Sequence, residues 1–148
     1  MGHDFYDAVL HRLLGEGLLK LDDKVLVTCG GPLDGETLLR LGFRDATITN
    51  LDNQQHGSVA PLQWAHQNAE CLTYENQAFD VALVHAGLHH CRSPHRALLE
   101  MYRVAKKAVV VFEARDSLAM KIARLSGLTP DYEIEAVVTS DNCQYGGV

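Results

Sequence analysis

A chain of 148 residues has the length of one domain, and folding at this size buries roughly 68–70% of the surface of the unfolded chain. Thirteen Lys and Arg against nineteen Asp and Glu leave a net charge of −6, and no basic run suited to a phosphate backbone is present, so nucleic acid is not expected as a partner. The longest apolar runs, such as Ala108 to Phe112, are far too short to cross a bilayer, and MGHDFYDAVLHR lacks the basic-then-apolar order of a signal peptide. A cytoplasmic protein without a membrane partner is expected. Cys29, Cys71, Cys91 and Cys143 form no C-x-x-C pair, which leaves a disulfide framework or a thiolate zinc site without support and predicts reduced thiols.

Taken in chain order, Phe5, Val9 and Leu13 with Tyr6, Leu10 and Leu14 repeat at i, i+4 and predict an amphipathic helix over Asp4 to Leu14, ended by Gly15 and Gly17. Lys24 to Thr28 is a short apolar strand running into glycines. The stretch that follows, GGPLDGET, resembles a phosphate loop, G-x-x-x-x-G-K-[ST], with Glu36 where the lysine belongs. A carboxylate there repels phosphate, so a nucleotide triphosphate is not the expected ligand. A helix is predicted from about Glu36 to Leu41, capped by Asp34 and stopped by Gly42.

Ala46 to Leu51 reads as a second strand leading into Asp52, and the alternation of Leu62, Trp64 and His66 with Gln63, Ala65 and Gln67 as a third, with a helix from Pro61 as the alternative. The nine residues between Asp52 and Leu62 are too few for a full crossover helix, so a short irregular connection is expected. Phe79 to His85 and Ala108 to Glu113 are nearly continuous in apolar residues, as strands covered on both faces are. Between them Ser93-Pro94 opens a helix whose apolar set is Ala97, Leu98, Met101, Tyr102 and Ala105. Strands alternating with helices predict an α/β fold with a doubly wound, mainly parallel sheet. Tyr132 to Thr139 alternates as a half-buried strand.

In an open parallel sheet, ligands bind beyond the carboxyl ends of the strands. The residues there are Cys29-Gly30-Gly31, Asp52-Asn53, Asn68-Ala69-Glu70 and His85-Ala86-Gly87. Asp52 stands about twenty residues after the glycine turn, the position from which a carboxylate accepts hydrogen bonds from ribose hydroxyls, and it points to an adenosine ligand. The G-x-G-x-x-G spacing that a dinucleotide pyrophosphate needs is missing after Gly30. His85, His89, His90 and His95 crowd one region with Cys91, but His85 ends a strand, so the four-residue spacing to His89 is not a helical metal pair and no metal is expected. These imidazoles read as the lining of a polar pocket mouth or as caps of the following helix, and His89 and His90 are the candidate bases if an acceptor hydroxyl must lose its proton.

The segments VLVTCGGPLDG, ITNLD, NAECLTYENQAFDVALVHAGLHH and SPHRALLEMYRVAKKAVVVFE together resemble the class I S-adenosylmethionine-dependent methyltransferases over about Lys24 to Phe112. The resemblance implies a Rossmann-like sheet of order 3-2-1-4-5 with helices on both faces, S-adenosylmethionine as cofactor and a small-molecule methyl acceptor. It implies that the backbone of Cys29, Gly30 and Gly31 packs on the cofactor, that Asp52 with Asn53 holds the ribose, that Asn68 with Ala69 meets the adenine edge, and that His85 lines the methionine side. Departures from the family pattern are Val27 for an acid, Cys29 and Leu33 for glycines, and Asn68 for Asp. S-adenosylmethionine carries no phosphate and a cationic sulfur, which suits a glycine turn with acid in place of lysine. The competing reading is a catalytically silent Rossmann-like module that binds a nucleoside or another subunit. The family continues into a C-terminal antiparallel hairpin, so residues 1–148 are expected to be a single, shortened domain whose fifth-strand edge pairs with a second copy, with poor order after about Asp131.

Overall fold

The computed structural model describes residues 3–51 and 60–113. Its elements are α1 (His3–Gly15), β1 (Val25–Thr28), α2 (Pro32–Leu41), β2 (Ala46–Asn50), β3 (Gln63–His66), β4 (Phe79–His85), a single 3-10 turn at Leu88–His90, α3 (Pro94–Val104) and β5 (Ala105–Phe112). All four strand pairings are parallel, in the order β3-β2-β1-β4-β5. Val25 lies opposite both Ala46 and Val81, and Thr47 opposite Gln63.

The apolar runs of β1 and β4 exist because both faces of the sheet are covered. Val25, Val27, Ile48, Val81, Leu83 and Phe112 point to one face and pack under Tyr6 and Leu10 of α1 and Leu38 and Leu41 of α2. Leu26, Phe79, Ala82 and Val84 point to the other, against Ala97, Met101 and Val104 of α3. The alternation of side chains along a strand sends Val25, Val27, Val81 and Leu83 to one layer and Leu26, Ala82 and Val84 to the other, while Phe79, before the register irregularity at the start of β4, joins the second layer. Each buried Val, Leu or Ile contributes about 1.5–3 kcal/mol.

Two boundaries differ from the sequence expectation by more than one residue, and so does the buried face of one helix. Helix α2 starts at Pro32, four residues before Glu36, because a proline is preformed for the first helical position. Asp34 is therefore inside the first turn, where its Oδ2 accepts from Gly31 N at 2.8 Å. Gly42 ends the helix at φ 101°, as expected. Strand β5 begins at Ala105 and follows α3 without a loop. The step from Phe79↔Ala105 to Val81↔Ala108 is irregular and lets Lys106 reach Asp80 and Lys107 reach the buried Asp23. On α3, Tyr102 is 75% exposed and Leu98 38%, while Val104 takes the buried place expected of them. Within the described residues β5 is a sheet edge, with Val111 42% exposed. Tyr132 to Thr139 lies outside the described residues.

The rotation of α3 has a measurable consequence. Met101 is fully buried and receives a contact from Thr28 Oγ1 on its sulfur at 3.4 Å. Met101→Ala is expected to cost about 2–5 kcal/mol in urea unfolding, whereas Tyr102→Ala should stay within about 0.5 kcal/mol. Equal losses would mean that the helix presents the face read from periodicity.

Candidate cofactor and active site

Two tight backbone turns meet at the carboxyl ends of β1 and β4. At the first, Cys29 takes φ 52° and Gly30 has no room for a side chain, since an added Cβ would lie 2.7 Å from Val27 Cγ1 and 2.8 Å from Ile48 Cγ2. Gly30 N donates to Thr49 O, and Asn50 Nδ2 donates to Gly30 O, both at 2.9 Å. The turn is thus pinned to the end of β2. At the second, Ala86 takes φ 53° and its N–H donates to Phe112 O at 2.7 Å. A Cβ on Gly87 would fall 2.4 Å from Cys29 Cβ, so this backbone packs directly on the first turn.

Helix α1 closes one side. The ring of Tyr6 lies flat on that of His85, with centroids 4.3 Å apart and planes 7° from parallel, and Phe112 meets both rings edge-on. Asp34 stands beside them, its Oδ1 3.9 Å from His85 Nδ1, beyond hydrogen-bond range. Tyr6 Oη, Asp34 Oδ1 and His85 Nε2 are all buried and lack a hydrogen-bond partner among the described residues. Burial pushes the Asp34 carboxyl above its ordinary range, although the amide of Gly31 and the nearby Tyr6 and His85 work against the rise. Burial and then the Asp34 charge push the Tyr6 hydroxyl up as well. Orphaned buried polar atoms are costly unless a ligand or water satisfies them.

Glu113, directly after β5, organises the segment beyond β4. Its Oε1 accepts from Leu88 N at 2.6 Å and its Oε2 pairs with His89 Nδ1 at 2.8 Å. Desolvation works to raise the Glu113 carboxyl, but the hydrogen bonds from His89 and Leu88 outweigh it and hold the group below its ordinary value. The His90 ring is 4.0 Å from that of His89 and tilted by 44°.

Of the residues singled out in the sequence, Cys29, Gly30, Gly31 and His85 come together here, with His89 and His90 on the adjoining segment. Asn68 follows β3, near the end of β2 through Gln67 N to Asn50 O at 3.1 Å, and its own Oδ1 accepts from Glu70 N at 2.9 Å. Ala69 is buried in the α3 layer. Asp52 and Asn53 lie outside the described residues, one and two positions beyond Leu51. Sequence reading missed Tyr6, Asn50 and Glu113: Tyr6 looked like one more apolar position of a helix, and the other two reach the site through contacts with residues distant in sequence.

The residues present fit S-adenosylmethionine. The turn offers no lysine, Glu36 is exposed, and the unpartnered Oδ1 of the buried Asp34 suits an ammonium group better than an anion. A cleft of about 350 Å³ lies at the opposite pole between Gln77, Tyr102, Arg103, Lys106 and Val109. Its cations are already paired, Arg103 with Glu100, Lys106 with Asp80 and Lys107 with Asp23. Among the described residues no group of three or more His, Cys, Asp or Glu is placed to hold a metal ion.

Comparison with known proteins agrees with this geometry. Residues 29–112 match the family described as methyltransferase domain. The ubiquinone/menaquinone biosynthesis C-methyltransferase UbiE of Xanthomonas campestris is 33% identical over 122 residues, covering 70% of this chain and 48% of that protein. Its counterpart in Xylella fastidiosa is 31% identical over the same coverage. Among solved structures, a SAM-dependent methyltransferase from Methanosarcina mazei superposes with a TM-score of 0.64 at 19% identity, over 78% of this chain and 63% of that one. A possible histamine N-methyltransferase from Thermotoga maritima gives 0.62 at 20% identity, over 84% and 59%. These two show a shared fold. The chain belongs to the class I S-adenosylmethionine-dependent methyltransferases, the family whose cofactor is S-adenosylmethionine. It spans about half the length of the curated relatives it matches.

The Glu113–His89 pair predicts a pH dependence. A carboxyl held below its unfolded value of about 4.3 contributes stability above that pH and loses it as the pH falls through the folded value. Glu113→Gln should therefore cost about 1.5 kcal/mol at pH 7, the low end for hydrogen bonds to a charged group because Gln keeps one acceptor. The gap from wild type should close on acidification. In the same variant the NMR titration midpoint of His89 should fall, since the ionised carboxylate favours imidazolium. An unchanged midpoint would dissolve the pair.

Proposed function

We propose that this chain serves S-adenosylmethionine-dependent methyl transfer to a small-molecule acceptor. The observation that carries the reading is the meeting of the Cys29–Gly31 turn, the buried Tyr6–His85–Asp34 group and the His89–Glu113 pair at the carboxyl pole of a 3-2-1-4-5 sheet. The bound cofactor supplies an electrophilic methyl group on a cationic sulfur that leaves as a neutral thioether. The backbone of Cys29, Gly30 and Gly31 would line it, Asp52 with Asn53 would take the ribose, Asn68 with Ala69 would face the adenine, and His85 the methionine side. Alignment of nucleophile, methyl and sulfur supplies much of the acceleration in such a displacement.

Where the acceptor must lose a proton, His89 is the better placed of the two candidate histidines. The ionised Glu113 is an acceptor only, so Nδ1 of a neutral His89 carries the hydrogen and Nε2 holds the lone pair that a base needs. The small-molecule acceptor is supported by the named relatives, which are C-methyltransferases of ubiquinone and menaquinone biosynthesis. A cytoplasmic location without nucleic-acid or membrane partners is part of the proposal, as is pairing of two copies at the fifth-strand edge. Among the described residues no helix is long and apolar enough to cross a membrane. The competing reading is the catalytically silent module that binds a nucleoside or another subunit, and calorimetry separates its subunit-binding form, which takes no nucleoside, from a nucleoside-dependent role.

In calorimetry, S-adenosylhomocysteine should bind the wild-type chain, and Asp52→Ala should weaken that binding by about 1.5–3 kcal/mol, the range for hydrogen bonds to a charged group. Absence of binding to the wild type would favour a silent module that holds another subunit, and equal affinity in the variant would remove Asp52 from the site.

A further inference from the structure

Two thiols distant in sequence meet beside the cofactor turn. Cys29 Sγ lies 3.9 Å from Cys91 Sγ, and both cysteines are free and partly buried. Cys29 is the first residue after β1, in a left-handed conformation, and Cys91 follows the 3-10 turn beyond β4, its sulfur 3.8 Å from Gly87 O. Between them the contact of Gly87 with Cys29 holds the two backbones together. The roles proposed above use the backbone of Cys29 and neither side chain.

The two thiols are unequal. The hydrogen bond from Cys29 holds the Cys91 thiol below its ordinary value, while that bond and burial hold the Cys29 thiol well above it. Cys91 is therefore the sulfur that ionises first, and the thiolate is the nucleophile in thiol oxidation.

We propose that Cys29 and Cys91 form a site of reversible oxidation by hydrogen peroxide or an organic hydroperoxide, and that the resulting intrachain disulfide weakens cofactor binding. In the first step the Cys91 thiolate attacks a peroxide oxygen. The O–O bond breaks, an S–O bond forms, and with one proton the products are Cys91 sulfenic acid and water, or the alcohol of an organic hydroperoxide. In the second step the Cys29 sulfur attacks the Cys91 sulfur, an S–S bond forms, and the hydroxyl leaves with the Cys29 proton as water. Two electrons pass from the two sulfurs to the peroxide. Bond formation needs the sulfurs to close from 3.9 Å to about 2.05 Å, within reach of side-chain rotation and a small backbone shift. That shift falls on the turn whose backbone lines the cofactor in the proposed function, and the coupling rests on that reading.

The test uses the full chain with all its cysteines. After treatment with peroxide and blocking of remaining thiols, peptide mass spectrometry should find the Cys29 and Cys91 peptides joined, two hydrogens lighter than the reduced pair, and dithiothreitol should separate them. The exposed Cys71 serves as the internal comparison. Cys91→Ser should abolish the joined peptide and leave Cys29 alkylatable. Cys29 and Cys91 that both stay alkylatable, or Cys91 carried on to sulfinic acid beside a free Cys29, would overturn the site. Calorimetry should show S-adenosylhomocysteine binding at least about fivefold weaker to the oxidised form than to the reduced form, the lower bound of typical coupling between sites. Equal affinities would overturn the coupling. A reduced form that binds no S-adenosylhomocysteine would overturn the coupling with the cofactor reading, while the peptide map would still decide the thiol site.

Discussion

The contact between Gly87 and Cys29 is the constraint on which the site depends. With an added Cβ only 2.4 Å from that of Cys29, position 87 admits no side chain, and the backbone leaving β4 rests on the backbone leaving β1. Gly30 repeats the condition on its other side, wedged over Val27 and Ile48. Three neighbouring strands are thereby brought to one point, because Asn50 at the end of β2 donates to Gly30 O. Bare backbone is thereby exposed between the strand ends, which is what close approach to a nucleoside requires.

Charge then decides which ligand suits the point. A phosphate-binding loop places a lysine beside its glycines, whereas this turn places Glu36 outside and the buried Asp34 inside. Asp34 spends one oxygen on Gly31 N and leaves the other without a partner among the described residues, next to Tyr6 and His85. A buried carboxylate so arranged repels phosphate and attracts an ammonium or sulfonium group. Val27, standing where the family carries an acid, is fully buried under α1 and α2, so in this chain acidity at the turn comes from the first turn of α2.

Strands β1 and β4 were legible because strands covered on both faces must be apolar almost throughout, and Phe79 to His85 was located to the residue. The start of α2 was not, because the chemistry of Asp34 was read as an outer cap when Pro32 had already set the helix going. The buried face of α3 was misjudged at Tyr102, since a short helix entering β5 without a loop takes its rotation from the strand it joins. Among site residues the glycines and His85 could be placed because strand ends are visible in sequence. Tyr6 and Glu113 could not, because stacking on His85 and pairing with His89 are contacts between residues tens of positions apart.

The central claim is that the paired turns after β1 and β4 form the cofactor surface, and amide chemical-shift mapping tests it most directly. On titration of the isotope-labelled chain with S-adenosylhomocysteine, the amides of Gly30, Gly31, Ala86 and Gly87 should move together and saturate at one ligand concentration, while those of Gln77 and Lys106 at the opposite pole stay still. Shifts concentrated at Gln77, Arg103 and Lys106, with the glycine turns unmoved, would contradict it.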